Sequence, residues 1–417
     1  MAALLTPPVP PVEPVETPRH GPTRMAVSTR STSSARRPGR DVFVDAVRAL
    51  ATVGIVAVHW LMPEATFDGQ TLWIGNALAH GGGWTLTWVL QVLPLLFFAA
   101  GASAAYQHAR HQHARLPYGS GWAGVVGARL RGVARPVAAF AGAWALTLGV
   151  LLASGLPDQA VLRLARMAPQ LLWFLAVWVA LVACTPLARA AWRRWRWAAV
   201  AVAVAAPLVV DLLRFGAGLE PVAWANVLLV WAVPFLLGVA YADDRSHRVI
   251  DGGRPAVAGR PVLVAVLVLA VGAMAALVRL GPYPVSMIGM PGDAVSNLAP
   301  PTAVVVAQSI AQVAAVLLAR DAIVRWACGR GRDVVRVLTR RALTVYLWHL
   351  TAMFVVVGAV LLGLHARLPE PWSTDWWSTR PVWWGAFGLV LLGLVRVFGR
   401  FEVPRGRRAQ RVGSPIA

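Results

Sequence analysis

Residues 41–60 read Asp41-Val-Phe-Val-Asp45-Ala-Val-Arg48-Ala-Leu-Ala-Thr-Val-Gly-Ile-Val-Ala-Val-His59-Trp60. An apolar run of about 20 residues is the length an α-helix needs to cross the hydrocarbon of a bilayer. Similar runs recur along the chain, and we place ten spans at residues 42–62, 85–106, 134–154, 170–187, 197–215, 221–241, 261–280, 301–320, 342–363 and 381–399. The predicted fold class is all-α, a polytopic transmembrane helix bundle. Its predicted division is a disordered cytoplasmic tail over residues 1–40, a membrane domain over 41–400 and a basic tail over 401–417.

The composition agrees with this pattern. The chain has 417 residues, 58% of them hydrophobic and 14% charged, whereas soluble domains carry about 25% charged residues. Twenty Trp residues suit membrane–water interfaces. Two Cys exclude a disulfide scaffold. A net charge of +21 raises the question of nucleic acid, but the distribution argues against it. All 39 basic residues are Arg. Six of them, Arg163, Arg166, Arg214, Arg279, Arg367 and Arg380, fall on one set of loops, and Arg48 lies in the first span. The rest crowd the other set of loops and the two termini. Because Arg and Lys are retained on the inner side, this alternation predicts both termini inside and a multi-pass protein of the plasma membrane. The bilayer, not nucleic acid, is the expected partner.

Ionisable side chains within spans are costly in hydrocarbon and tend to face cavities or partners. Arg48 and His59 are eleven residues apart, which puts them about 20° apart around a helix axis and ~16 Å apart along it. One face thus carries a guanidinium toward the inner side and an imidazole toward the outer side. Asp45, one turn before Arg48, can pair with it. An imidazole suits proton abstraction because its ordinary pKa of about 6.5 lies near working pH. The same spacing also fits a snorkelling Arg48 and an interfacial His59. Further candidates are Arg129, Arg131 and Arg135 before the third span, as phosphate ligands or inner-side anchors, and Trp173 in the fourth. Tyr346 and His349 lie one turn apart in the ninth, where they could share a cavity with Arg48. Asp211 and Arg214 are expected to pair at i,i+3. No phosphate loop, zinc helix or nucleophile elbow occurs, and no metal or tightly bound cofactor is expected.

Taken in order, these residues resemble the acyltransferase-3 family of integral membrane acyltransferases. The Arg48-x10-His59 spacing opens the resemblance. Pro94-Leu95-Leu96-Phe97-Phe98 with Gly101, Leu172-Trp173-Phe174-Leu175, Phe235-Leu236-Leu237-Gly238 and Tyr346-Leu-Trp-His349 follow it. The resemblance implies a ten-helix bundle that takes an acyl group from cytoplasmic acyl-CoA. The acceptor is a hydroxyl on an extracytoplasmic or membrane-borne molecule, often a glycan or glycolipid. It implies His59 as the catalytic imidazole and Arg48 as its charged partner toward the donor. Asp45, Arg129, Arg131, Arg135, Trp173, Tyr346 and His349 are then candidates for substrate binding. Two positions depart from the family pattern: Ala100 stands where Ser is usual, and Arg131 and Arg135 are four apart instead of three. The rival reading is a transporter or flippase using the Arg48–His59 stripe as a substrate or proton path. It differs in consuming no thioester.

Overall fold

The structure is a computed structural model that describes residues 41–113, 121–251 and 259–402. The tails expected over 1–40 and beyond 402 lie outside the described residues. Helix α1 (Val42–Leu61) leads through a small hairpin, β1 (Ala65–Phe67) and β2 (Leu72–Ile74), to α2 (Trp84–Leu90) and α3 (Leu93–His113). Next come α4 (Trp122–Ala153), α5 (Asp158–Met167), α6 (Leu172–Ala183), α7 (Thr185–Trp195), α8 (Trp197–Asp211) and α9 (Asn226–Asp251). The chain ends with α10 (Arg260–Leu280), α11 (Ala303–Leu318), α12 (Arg320–Cys328), α13 (Arg332–Gly358) and α14 (Thr374–Phe398). Among the described residues, nine helical stretches are long and apolar enough to cross a membrane. A tenth is formed if α11 and α12, bent by 62°, count as one span.

All ten expected spans have a counterpart, and the differences lie at their ends. The third begins at Trp122 and the ninth at Arg332, because their Arg-rich approaches continue the helix. The fourth begins at Asp158, with α5 and α6 joined through a short 3-10 turn, and it stops at Cys184. The tenth begins before Pro381 because Ser373 caps it, its hydroxyl accepting from the Trp376 amide at 3.1 Å. A side-chain acceptor at this position satisfies one of the free amides that every helix start presents.

Ion pairs gather the arginine-rich helix ends on one side of the bundle. The Asp41 carboxylate caps α1 by accepting from the Phe43 amide. It also accepts from Tyr106 of α3 at 2.8 Å and Tyr241 of α9 at 3.2 Å. Nearby, buried Asp243 binds Arg189 of α7 at 2.7 Å and Arg193 at 2.9 Å. At the opposite end the loops are pinned by a mixture of indole and carboxylate contacts. Trp372 donates to the Ala77 carbonyl and Trp88 to that of Val285. Asp211 accepts from Tyr283, Asn226 and the first amide of α11. The expected Asp211–Arg214 pair does not form, since Arg214 reaches Glu220 instead, at 2.9 Å.

Between the two ends α3 and α9 cross without intervening side chains. A Cβ on Gly101 would overlap the Phe235 carbonyl, and one on Gly238 would overlap that of Phe98. Small residues permit this approach in membrane bundles, where dispersion replaces the hydrophobic effect as the packing force. The crossing sets Phe97 against Trp231, the rings stacked at 5.0 Å, and both are fully buried.

Candidate active site

The α1 helix is continuous from Val42 to Leu61, so Arg48 and His59 do share a face, about 16 Å apart along the axis. Around Arg48 the site is cationic. Arg48 pairs with Asp45 at 3.1 Å and donates to the Ser103 hydroxyl of α3 at 2.5 Å. One turn along α3, Gln107 accepts from Arg129 of α4 through its side-chain oxygen. The Arg129 guanidinium also lies over the Trp178 ring, 5.5 Å from its centre, and within electrostatic reach of Arg48. Two guanidiniums thus lie near each other among the described residues, a pairing that suits a phosphate group. Arg131 and Arg135 are exposed. They are two and six residues from Arg129, so at 100° per residue they project from other faces of α4. The structure brings Arg129 to Arg48 and leaves the other two outside.

His59 has a different environment. Its Nδ1 lies 2.7 Å from the Ile55 carbonyl, so Nδ1 carries the proton. The Nε2 of His349 from α13 lies 3.3 Å from that same nitrogen. On the far side of its ring, His349 donates from Nδ1 to the Tyr346 carbonyl at 2.7 Å. The His349 Nε2 is therefore a lone-pair acceptor aimed at the His59 N–H. Two carbonyls thus fix two imidazoles in one tautomer, with His59 Nε2 left as the basic nitrogen. Trp60, next to His59, donates to the His349 carbonyl at 3.2 Å and locks α1 to α13 at this level.

His349 is completely buried and stands behind His59, at the same depth in the bundle. Neither Tyr346, His349 nor Arg48 lines the cavity described below, although Tyr346 and His349 were expected to share one with Arg48. Tyr346 donates its hydroxyl to the Leu171 carbonyl at 2.8 Å. It contributes to the site through its main chain, as the acceptor for His349. Trp173 lies against Trp231, with ring centres 5.9 Å apart, and does not line the cavity described next.

His59 opens onto a cavity of about 660 Å³ on the side away from Arg48. Its walls come from α4, α5, α13 and the hairpin, and loop residues Gly289–Pro291 close one side. The hairpin is held by the Asp68 turn, where the Thr71 and Gln70 amides also keep the Asp68 carboxyl below the usual range. His59 Nε2 makes no hydrogen bond among the described residues. The site therefore offers two guanidiniums at one end, an oriented base in the middle and a partly open cavity beyond it. No group of three or more His, Cys, Asp or Glu able to hold a metal occurs among the described residues.

Sequence reasoning did not find Ser103, Gln107, the His59–His349 contact or the cavity. The Ser103-x3-Gln107 spacing on a span was the one local signal, since it puts two polar groups on one helix stripe.

A family model described as an acyltransferase domain matches residues 41–398. No curated protein and no solved structure matches the chain.

Proposed function

The chain belongs to the acyltransferase-3 family, and from that premise we propose that it moves an acyl group from acyl-CoA to a hydroxyl of an extracytoplasmic or membrane-borne acceptor. The observation that carries this reading is the tautomer of His59. Its Nδ1–H is held by Ile55 and His349 and its Nε2 lone pair faces the cavity, as a general base requires. Both termini and the arginine-rich end would face the cytoplasm, where acyl-CoA is made.

Length supports the donor assignment. A phosphopantetheine arm has thirteen bonds from sulfur to phosphorus. At roughly 3.5 Å per three bonds of extended chain it spans about 15 Å. With its phosphates at Arg48 and Arg129, the thioester arrives at the level of His59, ~16 Å along α1. Arg48, ~16 Å along α1 from His59, acts in this reading as a donor-binding residue and not on the reacting carbonyl.

The reaction then runs in one displacement. His59 Nε2 takes the proton of the acceptor hydroxyl as its oxygen attacks the thioester carbonyl. The tetrahedral intermediate collapses, the C–S bond breaks, and the imidazolium returns the proton to the leaving thiolate. While His59 is charged, its Nδ1–H donates a charge-assisted bond to the Ile55 carbonyl and to His349 Nε2. His349 is a positioning residue in this scheme.

The test uses membranes carrying wild type or His59→Ala at matched abundance, supplied with radiolabelled acetyl-CoA. Label in the lipid, glycan or small-molecule fraction is expected with wild type only. Equal label with the variant would overturn the assignment. No label from acetyl-CoA or from longer acyl-CoAs would favour a transporter.

A further inference from the structure

The cavity beside His59 has chemistry of its own, and we infer that it takes a hydroxyl-bearing lipid, a long apolar body with its hydroxyl at the His59 end. This inference rests on the acyltransferase reading and specifies its acceptor. The base must touch the acceptor hydroxyl, and His59, whose Nδ1 is already bonded, lines this cavity. The acceptor therefore occupies at least the deep end.

The walls decide what kind of acceptor fits. Just over half of the lining residues are Leu, Met, Val, Phe and Trp, drawn from α4, α5, α13 and its continuation, the hairpin and the adjoining loops. The polar groups among them are largely engaged with their own chain. Thr351 accepts from the Trp144 indole at 3.1 Å. Thr147 donates back to the Ala143 carbonyl at 2.8 Å, and Asn76 caps the Leu78 amide at 3.0 Å. Glu64 pairs with His80 at 3.1 Å. Gln170 also lines the cavity, and its side chain makes no hydrogen bond among the described residues. A sugar placed here would still bury most of its hydroxyls against apolar side chains, with a desolvation penalty for each one left without a partner. A single hydroxyl on a long apolar body matches a lining whose free polar groups, His59 Nε2 and Gln170, are few.

Dimensions agree. The lining follows α13 and its continuation from Trp348 to Leu362, fourteen steps of the helix, or about 21 Å at helical rise. An extended chain of about eighteen carbons covers the same length at roughly 3.5 Å per three bonds. Its 660 Å³ far exceeds what an acetyl group fills, and lies in the range of sites that enclose a whole ligand.

The experiment is photolabelling of the full-length protein in nanodiscs with diazirine-bearing octadecanol, followed by peptide mapping. Label is expected on the 350–362 segment and near Met290, displaced by unlabelled octadecanol and not by methyl glucoside. Ala143→Phe fills the cavity wall and should lower that label about tenfold. Val268→Phe, on the exposed face of α10, should leave it unchanged. His59→Ala should keep the label and lose acetyl transfer to octadecanol, which separates the two readings. Label in the cavity without transfer by wild type would sink the reaction and spare the lipid site. Transfer to methyl glucoside with no cavity label would do the reverse. Label confined to outward faces such as that of α10, or displaced by palmitoyl-CoA but not by octadecanol, overturns the proposal. The second of these outcomes would give the cavity to the donor's chain.

Discussion

Replacing His349 by Leu keeps a side chain of similar bulk and removes the acceptor behind His59. The His59 tautomer should survive, because the Ile55 carbonyl at 2.7 Å is the nearer of its two partners and stays in place. What is lost is the longer contact, 3.3 Å between His349 Nε2 and His59 Nδ1. That contact strengthens only when His59 becomes charged in the transition state. Hydrogen bonds to charged groups contribute about 1.5–3 kcal/mol, and a long one belongs at the low end. A loss of ~1.5 kcal/mol is about tenfold in rate. The expected result is therefore kcat lowered about tenfold with KM for acyl-CoA and acceptor unchanged, since the contact does not touch either substrate. His349→Gln, which restores an acceptor oxygen, should recover most of the loss. A simple packing role for His349 would instead lower stability and show no rescue by Gln. Steady-state kinetics of both variants in nanodiscs, beside their thermal unfolding, distinguishes these cases. An unchanged kcat in His349→Leu would refute the positioning argument.

Two further outcomes follow from the same geometry. Arg129→Ala should raise KM for acyl-CoA about tenfold or more, because a phosphate loses a charge-assisted partner worth at least ~1.5 kcal/mol; Arg135→Ala, on an exposed face of α4, should leave KM within about twofold, and equal effects of the two in a saturation assay would dissolve the donor site. Gly238→Ala should destabilise the protein by about 1–3 kcal/mol by forcing α9 off the Phe98 carbonyl. Gly272→Ala on α10, where a Cβ meets nothing within 4 Å, should not, as read by thermal unfolding in detergent.

What could be read from the sequence was whatever a single helix determines. The Arg48–His59 register is a property of eleven residues of α1 and needs no partner, so 100° per residue placed it. The spans were legible for the same reason: hydrocarbon length acts on each helix separately. Helix ends were not, because Ser373 starts α14 by a cap that no hydropathy average registers. Pairings between helices were the larger loss. Nothing local says that His349 meets His59 across 290 residues, and the one-turn spacing of Tyr346 and His349 carried no hint of it. Tyr346 turns out to act through its carbonyl, an atom every residue type carries, so no side-chain pattern could have announced it.

The three parts of the site bear on one another through α1. Arg48 and His59 are held at a fixed separation by helical rise, and α3 and α13 fasten the two ends independently, through Ser103 at one and His349 at the other. On the proposed reading, a donor arm of fixed length is measured against that separation, so the thioester would be delivered to one depth whatever acyl group it carries. The acceptor would meet no such ruler. It would be selected by the cavity beyond His59, where Thr147, Thr351 and the Asn76 side-chain oxygen are already bonded within the chain. Changing the lining should therefore alter which alcohol is acylated while the donor requirement stays with Arg48 and Arg129. In this arrangement donor and acceptor specificity reside on opposite sides of a single imidazole, and each can vary without disturbing the other.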